Sequence, residues 1–325
     1  MSKDQKLVKV KRDTKSLVMK NLIVMAVLII IALTGVISWL TNKTEATADG
    51  INVTCEAPKG LKIAVVQHGE EAPDVDDETK WSEGEITLTK DAYPFLKEQS
   101  IIEITSDGTD FYKPKLTQEN GKAKPDTSSE WDVADKDSYL SIDVYMKTGE
   151  DHAVYLNSGT EISPNSTTLT GENPGNKSDD GNFSKDCIVG AVRLSTVNSK
   201  DSTIKNLWIP APQIHYDSDN KEVTMNNTSG DTFKHKYWRV AKNSDGKTGV
   251  PQDTAPVEYT DVITNTNNDF KLGKNCMFAN LTKNQPSDKY ATGMTTVNIW
   301  VDGEDNEARL AMVGGKFKAT IKLSL

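Results

Sequence analysis

Beyond residue 49, apolar and polar residues alternate with a period of two, which is the pattern of β-strands. The clearest examples are residues 51–55, 139–146 and 316–325, in which every second residue is apolar. Many short segments of this kind, separated by clusters of Gly, Pro, Asn and Asp, are typical of sandwiches and barrels. The sequence therefore predicts an all-β domain over residues 49–325, with antiparallel strands in a sandwich or jelly-roll arrangement.

The remaining pattern predicts further strands, long loops and few helices. The further strands are expected at residues 61–66, 85–89, 101–105, 153–157, 187–196, 207–209, 236–240, 257–263 and 295–301. Exposed loops are expected at 117–137, 158–185, 242–256 and 283–293, because these polar stretches offer little apolar surface to bury. One helix is expected at 306–313, between Asp305 and Gly314, and a short helical turn at 91–99.

The segment 316–325 is the most regular of these candidates. Lys316, Lys318 and Lys322 fall on its polar face, while the other face is apolar. Exposed lysines commonly protect a sheet edge from pairing. We therefore expect this strand at an edge.

The amino-terminal segment has a different pattern. Residues 21–42 carry no charge and, at about 1.5 Å rise per residue, are long enough as a helix to cross a bilayer core of about 30 Å. Residues 1–20 are rich in lysine. The positive-inside rule therefore predicts a cytoplasmic segment 1–20, a transmembrane or signal helix 21–42 in the lipid bilayer, and an extracellular remainder.

Two outcomes of export are compatible with the sequence. Ala46 and Ala48 form an A-x-A signal within the linker 43–48, and cleavage there would leave Asp49 as the new amino terminus. The apolar run is longer than that of an ordinary signal peptide, which argues for a retained anchor. Of the two outcomes we favour cleavage. The domain is accordingly expected either on the outside of the cell membrane or at the cell surface after release.

Composition and motifs exclude several classes of function. The chain has a formal net charge of −9 and its exported part is still more acidic, which argues against a nucleic-acid partner. The sequence lacks a P-loop, a G-x-S-x-G elbow and an H-E-x-x-H motif, so we predict neither an enzyme nor a bound cofactor. Cys55, Cys187 and Cys276 form no C-x-x-C pair, which leaves either one disulfide or three thiols.

Two weak binding sites remain as candidates. Asp302, Glu304 and Asp305 beside Gly303, together with Asp179 and Asp180 beside Gly181, are oxygen-rich clusters of the kind that bind Ca²⁺, although neither matches an EF-hand. Trp131 lies between Glu130 and Asp132 in a predicted loop, where an exposed indole would contact a glycan or a partner. Trp208, Trp238 and Trp300 lie in predicted strands, which favours packing in the core.

Four segments resemble a known family. Residues 39–53, 139–145, 154–156 and 297–305 with Gly314–Phe317 are similar to exported surface proteins of Gram-positive, mainly clostridial, bacteria that carry SipW-type signal peptides. This group includes the TasA and camelysin biofilm-fibre proteins. The resemblance implies a jelly-roll-like fold and an extracellular structural role.

Three functions are therefore compared. The first is a structural or adhesive surface protein, a fibre or biofilm-matrix subunit, in which residues 49–55 pair with the strand 316–325 of another copy. The same residues are also expected to pair within their own sheet. The second function is a membrane-anchored module that binds a glycan through Trp131. An extracellular hydrolase is the least favoured, since no nucleophile and base are recognisable.

Overall fold

The alternating segments form β-strands, and three other short segments that the structure describes form 3-10 helices. The computed structural model describes residues 51–89, 91–97, 103–119, 122–165, 185–211, 215–216, 223–224, 235–264, 270–273, 275–305 and 314–325. Within these residues there is no helix long and apolar enough to cross a bilayer. The predicted segments 1–20, 21–42, 43–48 and 306–313 lie outside them.

The described chain is rich in strands. They are β1 (Ile51–Glu56), β2 (Lys62–Gln67), β3 (Ser82–Glu83), β4 (Glu85–Leu88), β5 (Glu103–Ser106), β6 (Phe111–Lys113), β7 (Leu116–Glu119), β8 (Lys122–Pro125), β9 (Trp131–Val133), β10 (Leu140–Thr148), β11 (His152–Leu156), β12 (Glu161–Pro164), β13 (Val192–Asn198), β14 (Lys205–Ile209), β15 (His215–Tyr216), β16 (Val223–Thr224), β17 (Lys236–Tyr237), β18 (Val240–Lys242), β19 (Thr248–Pro251), β20 (Val257–Glu258), β21 (Ile263–Thr264), β22 (Cys276–Leu281), β23 (Ala291–Asp302) and β24 (Phe317–Ser324). The 3-10 helices span Glu78–Lys80, Pro94–Lys97 and Lys185–Ala191. The all-β prediction is confirmed.

Two sheets contain most of these strands. The smaller sheet has six strands in the order β22-β11-β24-β1-β4, with β12 also paired to β24. The larger sheet has twelve strands, of which nine run in the order β18-β19-β9-β6-β5-β23-β10-β2-β3, and β13, β14 and β21 branch from β23. The expected antiparallel arrangement is wrong for three pairs, β1–β24, β14–β21 and β23–β5, which are parallel. Alternation identifies the two faces of a strand, but it carries no information about the direction of its neighbour.

The main apolar core is shared by the two sheets. Ile321 and Val53 come from the smaller sheet, and Val144 and Val297 come from the larger one, yet all belong to one buried cluster. This cluster therefore lies between the sheets. Burying each such side chain contributes about 1.5–3 kcal/mol to folding.

Part of the other face of the larger sheet is also covered. Along β23, residues 297–302 are all buried, although a strand with one solvent face would alternate. Trp300 packs on that second face with Ile104 and Phe111, and a further cluster joins Tyr112, Trp131 and Trp238. The expectation that Trp208, Trp238 and Trp300 pack in the core is confirmed, since they are 0%, 5% and 0% exposed.

Several predicted loops contain strands. Residues 117–137 hold β7, β8 and β9, residues 158–185 hold β12, and residues 242–256 hold β19. Strands of three or four mainly polar residues lack the alternating apolar signal, which explains why the sequence did not indicate them. The strand predicted at 187–196 begins only at Val192, because Lys185–Ala191 is a 3-10 helix. The hairpin β7–β8 forms a separate unit from the compact unit that contains the other strands.

Candidate functional site

The first described strand, β1, lies inside the smaller sheet. It pairs in parallel with β24, Val53 opposite Ala319 and Cys55 opposite Ile321, and antiparallel with β4. Val53 and Cys55 are 1% and 0% exposed, so one face of β1 fills part of the main core. Burial raises the pKa of the Cys55 thiol to about 12, which keeps it protonated and unreactive. Residues 51–56 therefore pair with 317–322 within one chain, in line with the expectation that this segment pairs within its own sheet.

The terminal strand β24 is not an edge, and that prediction is wrong. β1 occupies one side of it, and β11 and β12 occupy the other, with Leu156 opposite Leu323 and Ile162 opposite Ala319. Its residues do alternate between buried and accessible as expected. The lysines show that one face meets solvent, but they do not show how many strands flank β24 in the plane of the sheet.

Side chains fix the register of β1 against β24. Lys322 Nζ lies 3.1 Å from Glu56 Oε2 on the outer face of the sheet. The Lys322 backbone is held on its other side, because Asn157 N donates to Lys322 O at 2.8 Å and Lys322 N donates to Thr160 Oγ1 at 3.2 Å. Gly159 has a φ of +101°, and a Cβ there would lie 3.1 Å from Lys322 Cδ. The β24 side of the groove that receives β1 is thus held by contacts that do not involve β1.

Trp131 is not an exposed contact residue. Its ring is 0% exposed and packs edge-on against Trp238, with ring centroids 5.7 Å apart. The indole Nε1 donates to Asp126 O at 2.8 Å. Glu130 and Asp132 are exposed because neighbouring residues of a strand point to opposite sides. The acidic neighbours therefore suggested an exposed loop where the chain forms a strand.

Two carboxylates of the predicted calcium cluster contact other side chains. Asp302 is 0% exposed and accepts a hydrogen bond from Tyr259 Oη at 2.7 Å, and Asp305 forms an ion pair with Arg193. Across the described part of the chain there is no group of three or more His, Cys, Asp or Glu side chains placed to hold a metal. Asp179 and Asp180 lie outside the described residues, as do Ala46, Ala48 and Asp49.

A buried charge network around Arg193 was not recognised in the sequence. Arg193 is 0% exposed, its Nη1 donates to Gly190 O at 2.8 Å, and its Nε lies 3.8 Å from Asp302 Oδ2. His235 Nδ1 is 2.9 Å from Arg193 Nη2 and 3.2 Å from Asp305 Oδ2. These residues come from distant parts of the chain, so spacing gave no signal.

Burial dominates the titration of this network. It raises the pKa of Asp302 to about 7 in spite of the Arg193 charge. Burial and the Arg193 charge both lower the pKa of His235. Tyr259 has its pKa raised by burial and by Asp302. Strongly perturbed groups can mark an active site, but ion-pair networks perturb pKa values equally. We interpret this one as a structural network, because Arg193 is paired with both Asp302 and Asp305 inside it. Among the described residues, Arg193 Nε and His235 Nε2 are buried without a hydrogen-bond partner.

A second missed cluster orients a histidine. Asp143 is 2% exposed and accepts from Gly69 N at 3.1 Å and from Thr296 Oγ1 at 2.7 Å, and His68 Nδ1 lies 2.9 Å from it. The hydrogen bond to Asp143 raises the pKa of His68. A carboxylate in this position fixes the ring, as in catalytic and metal-binding histidines. No described hydroxyl or thiol is bonded to the other ring nitrogen, so the arrangement does not amount to a triad.

A third missed cluster buries a lysine. Lys147 Nζ lies 4.6 Å from the Trp81 ring centroid and 4.5 Å from that of Tyr290, and it donates to Val75 O at 2.6 Å. Glu78 Oε1 is 3.2 Å away. Hydrogen bonds from Lys62, Tyr290 and Lys147 lower the pKa of Glu78 to about 2. The ammonium therefore fastens the 75–81 segment to the larger sheet.

The cysteines are present as thiols rather than as a disulfide. Cys55 and Cys187 are buried, and Cys276 is half-buried. Of the two alternatives that the sequence left open, the structure has three thiols.

Comparison with known proteins adds no family. No protein-family model, no characterised protein and no solved structure matches the chain. The candidate functional site therefore rests on geometry alone, and we identify it as β1 in the groove between β24 and β4.

Proposed function

We propose that this chain is an exported cell-surface structural or adhesive protein whose β-sandwich, jelly-roll-like domains assemble by exchanging strand β1. The observation that carries the proposal is the position of β1, the first described strand, between β24 and β4. The apolar run 21–42 and the lysine-rich segment before it support export. The resemblance to biofilm-fibre proteins supports a structural role.

The connectivity of β1 favours its exchange between copies. β1 and β24 are parallel and lie at opposite ends of the described chain, so no tight turn links them. Their pairing depends on backbone hydrogen bonds, on Val53 and Cys55 in the core, and on the Glu56–Lys322 ion pair. Each of these contacts forms equally well with β1 from a second copy, which is the condition for domain swapping.

The acceptor groove supports the same step. β24 keeps β11 and β12 on its other side when β1 leaves, whereas β4 has β1 as its only strand partner among the described residues. An open groove would expose the core positions that Val53 and Cys55 fill. Since exposing this apolar surface is costly, an open groove favours capture of another strand.

Complementation in trans tests the proposal. A variant that lacks residues 49–56 is mixed with a synthetic peptide of that sequence, or with the same peptide carrying Val53→Asp. We expect the first peptide to restore the thermal stability of the variant and the second to fail, because an aspartate cannot enter the core. Failure of the unmodified peptide would count against an exchangeable strand.

Electron microscopy and mass spectrometry test assembly and export. Oligomers or fibres are expected from the purified extracellular domain, and monodisperse monomers at low pH and at high concentration would refute assembly. A native amino terminus at Asp49 would support release from the membrane, and an intact Met1 or Ser2 would support a tethered domain. The glycan-binding alternative loses its contact residue, because Trp131 is buried.

A further inference from the structure

The two edge strands of the smaller sheet, β22 and β4, differ in whether other groups occupy their outward backbone atoms. At the β22 end, Asn206 Nδ2 donates to Met277 O at 2.8 Å and Thr295 Oγ1 donates to Phe278 O at 2.7 Å. Side chains therefore occupy carbonyls that would otherwise bind another strand. At the β4 end, the described residues provide no strand beyond β4.

The pairing of β4 with β1 shows which backbone groups of β4 point outward. Ala57 N donates to Gly84 O at 2.7 Å, which makes this a hydrogen-bonded pair. Hydrogen-bonded and non-hydrogen-bonded pairs alternate along an antiparallel ladder. In the observed register, Ile86 and Leu88 therefore direct their N–H and C=O groups toward β1. Glu85 and Thr87 direct theirs away from the sheet.

The same edge has an apolar border. Ile86, Tyr93 and Phe95 are half-buried and pack against the main core, and the Tyr93 and Phe95 rings meet edge-on with centroids 6.1 Å apart. Thr89 O accepts from Tyr93 N at 2.8 Å, so the turn after β4 limits the open edge to Glu85–Leu88. A short strand that directs backbone N–H and C=O groups outward, bordered by apolar side chains, is suited to pairing with one more short strand.

We propose that β4 pairs with β4 of a second copy of this chain, antiparallel and across a two-fold axis at Ile86. In this register Glu85 and Thr87 of one copy form hydrogen-bonded pairs with Thr87 and Glu85 of the other. The two Ile86 side chains meet on the core-facing side. A shift that placed the two-fold axis at Glu85 would set like charges opposite each other, which is destabilising. A shift to Thr87 would require the Thr89 backbone, whose carbonyl is already bonded to Tyr93. The contact leaves β1 in its own sheet and does not depend on strand exchange.

Cysteine scanning tests the register. Residues of a non-hydrogen-bonded pair have Cα atoms about 4.5 Å apart, within the roughly 4.4–6.8 Å range of disulfides. In the full chain purified in detergent, Ile86→Cys is expected to give a disulfide-linked dimer on oxidation. Thr87→Cys is the matched control and is expected to stay monomeric on a non-reducing gel, because it faces Glu85 of the other copy. The unmodified chain reports any background from its own cysteines.

Two cross-linking results would overturn the proposal. One is a folded Ile86→Cys protein, verified by circular dichroism, that gives no more dimer than the unmodified chain. The other is equal cross-linking of Thr87→Cys, which would indicate random collision. As a second measurement, Thr87→Pro removes an outward N–H without touching the β1 ladder. It is expected to reduce concentration-dependent association in sedimentation, while association through β1 exchange remains. Unchanged association of that variant also contradicts the proposal.

Discussion

The two sheets differ in what covers their outer faces. The outer face of the smaller sheet carries exposed polar side chains, such as Lys318 and Thr87. Part of the outer face of the larger sheet is covered and contains buried charges, Arg193, Asp302 and Lys147 among them. Buried charges must be paired and are sensitive to any loss of a partner, whereas exposed ones are not. We therefore expect the larger sheet to contribute most to stability, and we propose that the smaller sheet, with β1 inside it, is the one that pairs with other copies.

Among the substitutions that compare the two sheets, Arg193→Met should lower the free energy of unfolding most. The substitution keeps apolar volume but leaves Asp302 and Asp305 without their guanidinium, and breaking such a buried pair costs about 3–5 kcal/mol. Urea unfolding measures the loss. Lys318→Met on the smaller sheet is the control and should change stability by about 0.5 kcal/mol or less. Equal effects of the two substitutions would remove the distinction between the sheets.

Neighbouring residues of β24 allow a buried and an accessible side chain to be compared within one strand. Ile321 is 1% exposed in the main core, and Ile321→Ala should cost about 2–5 kcal/mol. Thr320 lies on the accessible face, and Thr320→Ala should change little. Guanidinium unfolding of both variants checks the result. A large loss from Thr320→Ala would indicate that the outer face is more constrained than the structure shows.

The raised pKa of Asp302 predicts that the free energy of unfolding depends on pH. This component comes from the larger sheet. Burial raises the pKa of Asp302 to about 7, above the value of about 3.9 in an unfolded chain. The folded protein therefore binds the extra proton, and the resulting stability is fully present below about pH 4 and lost as the pH rises through 7. Asp302→Asn should remove this component from unfolding free energies measured between pH 4 and 8. An unchanged pH profile would contradict the assignment.

His68 should give the smallest effect, because half of its side chain is exposed. The hydrogen bond to Asp143 raises its pKa above that of an unfolded histidine. The contribution of protonated His68 to stability is therefore present below about pH 6.5 and declines as the pH rises through the folded pKa. The stability difference between the unmodified chain and His68→Gln should shrink from pH 6 to pH 8. A difference that grows with pH would reverse the sign.

Alternation made the strands predictable, but it did not reveal their neighbours. The segments around Val53, Val144 and Ile321 were recognised because one face of each is apolar. The position of β24 inside its sheet was missed, since that depends on β11 and β12, which are distant in sequence. Trp131 was wrongly predicted to be exposed. Its neighbours Glu130 and Asp132 are exposed, but their exposure does not determine that of the side chain between them.

The charge clusters were missed for a related physical reason. Arg193, His235 and Asp302 meet only after three separate segments fold together, and no short motif encodes such a meeting. The same holds for Lys147 between Trp81 and Tyr290. By contrast, the pairing of the segment near Val53 within its own sheet was among the sequence-based expectations, and β1 pairs there with β24 and β4.

The central claim is that β1 of one copy can occupy the groove of another. Copies labelled with ¹⁴N and ¹⁵N are assembled together and treated with a carbodiimide, which joins Glu56 to Lys322 as an amide across their 3.1 Å ion pair. Mass spectrometry then reads the isotopes of the cross-linked peptides. The account predicts peptides that pair Glu56 of one isotope with Lys322 of the other in the assembled fraction. Cross-links of a single isotope only, in assemblies that contain both, would contradict it.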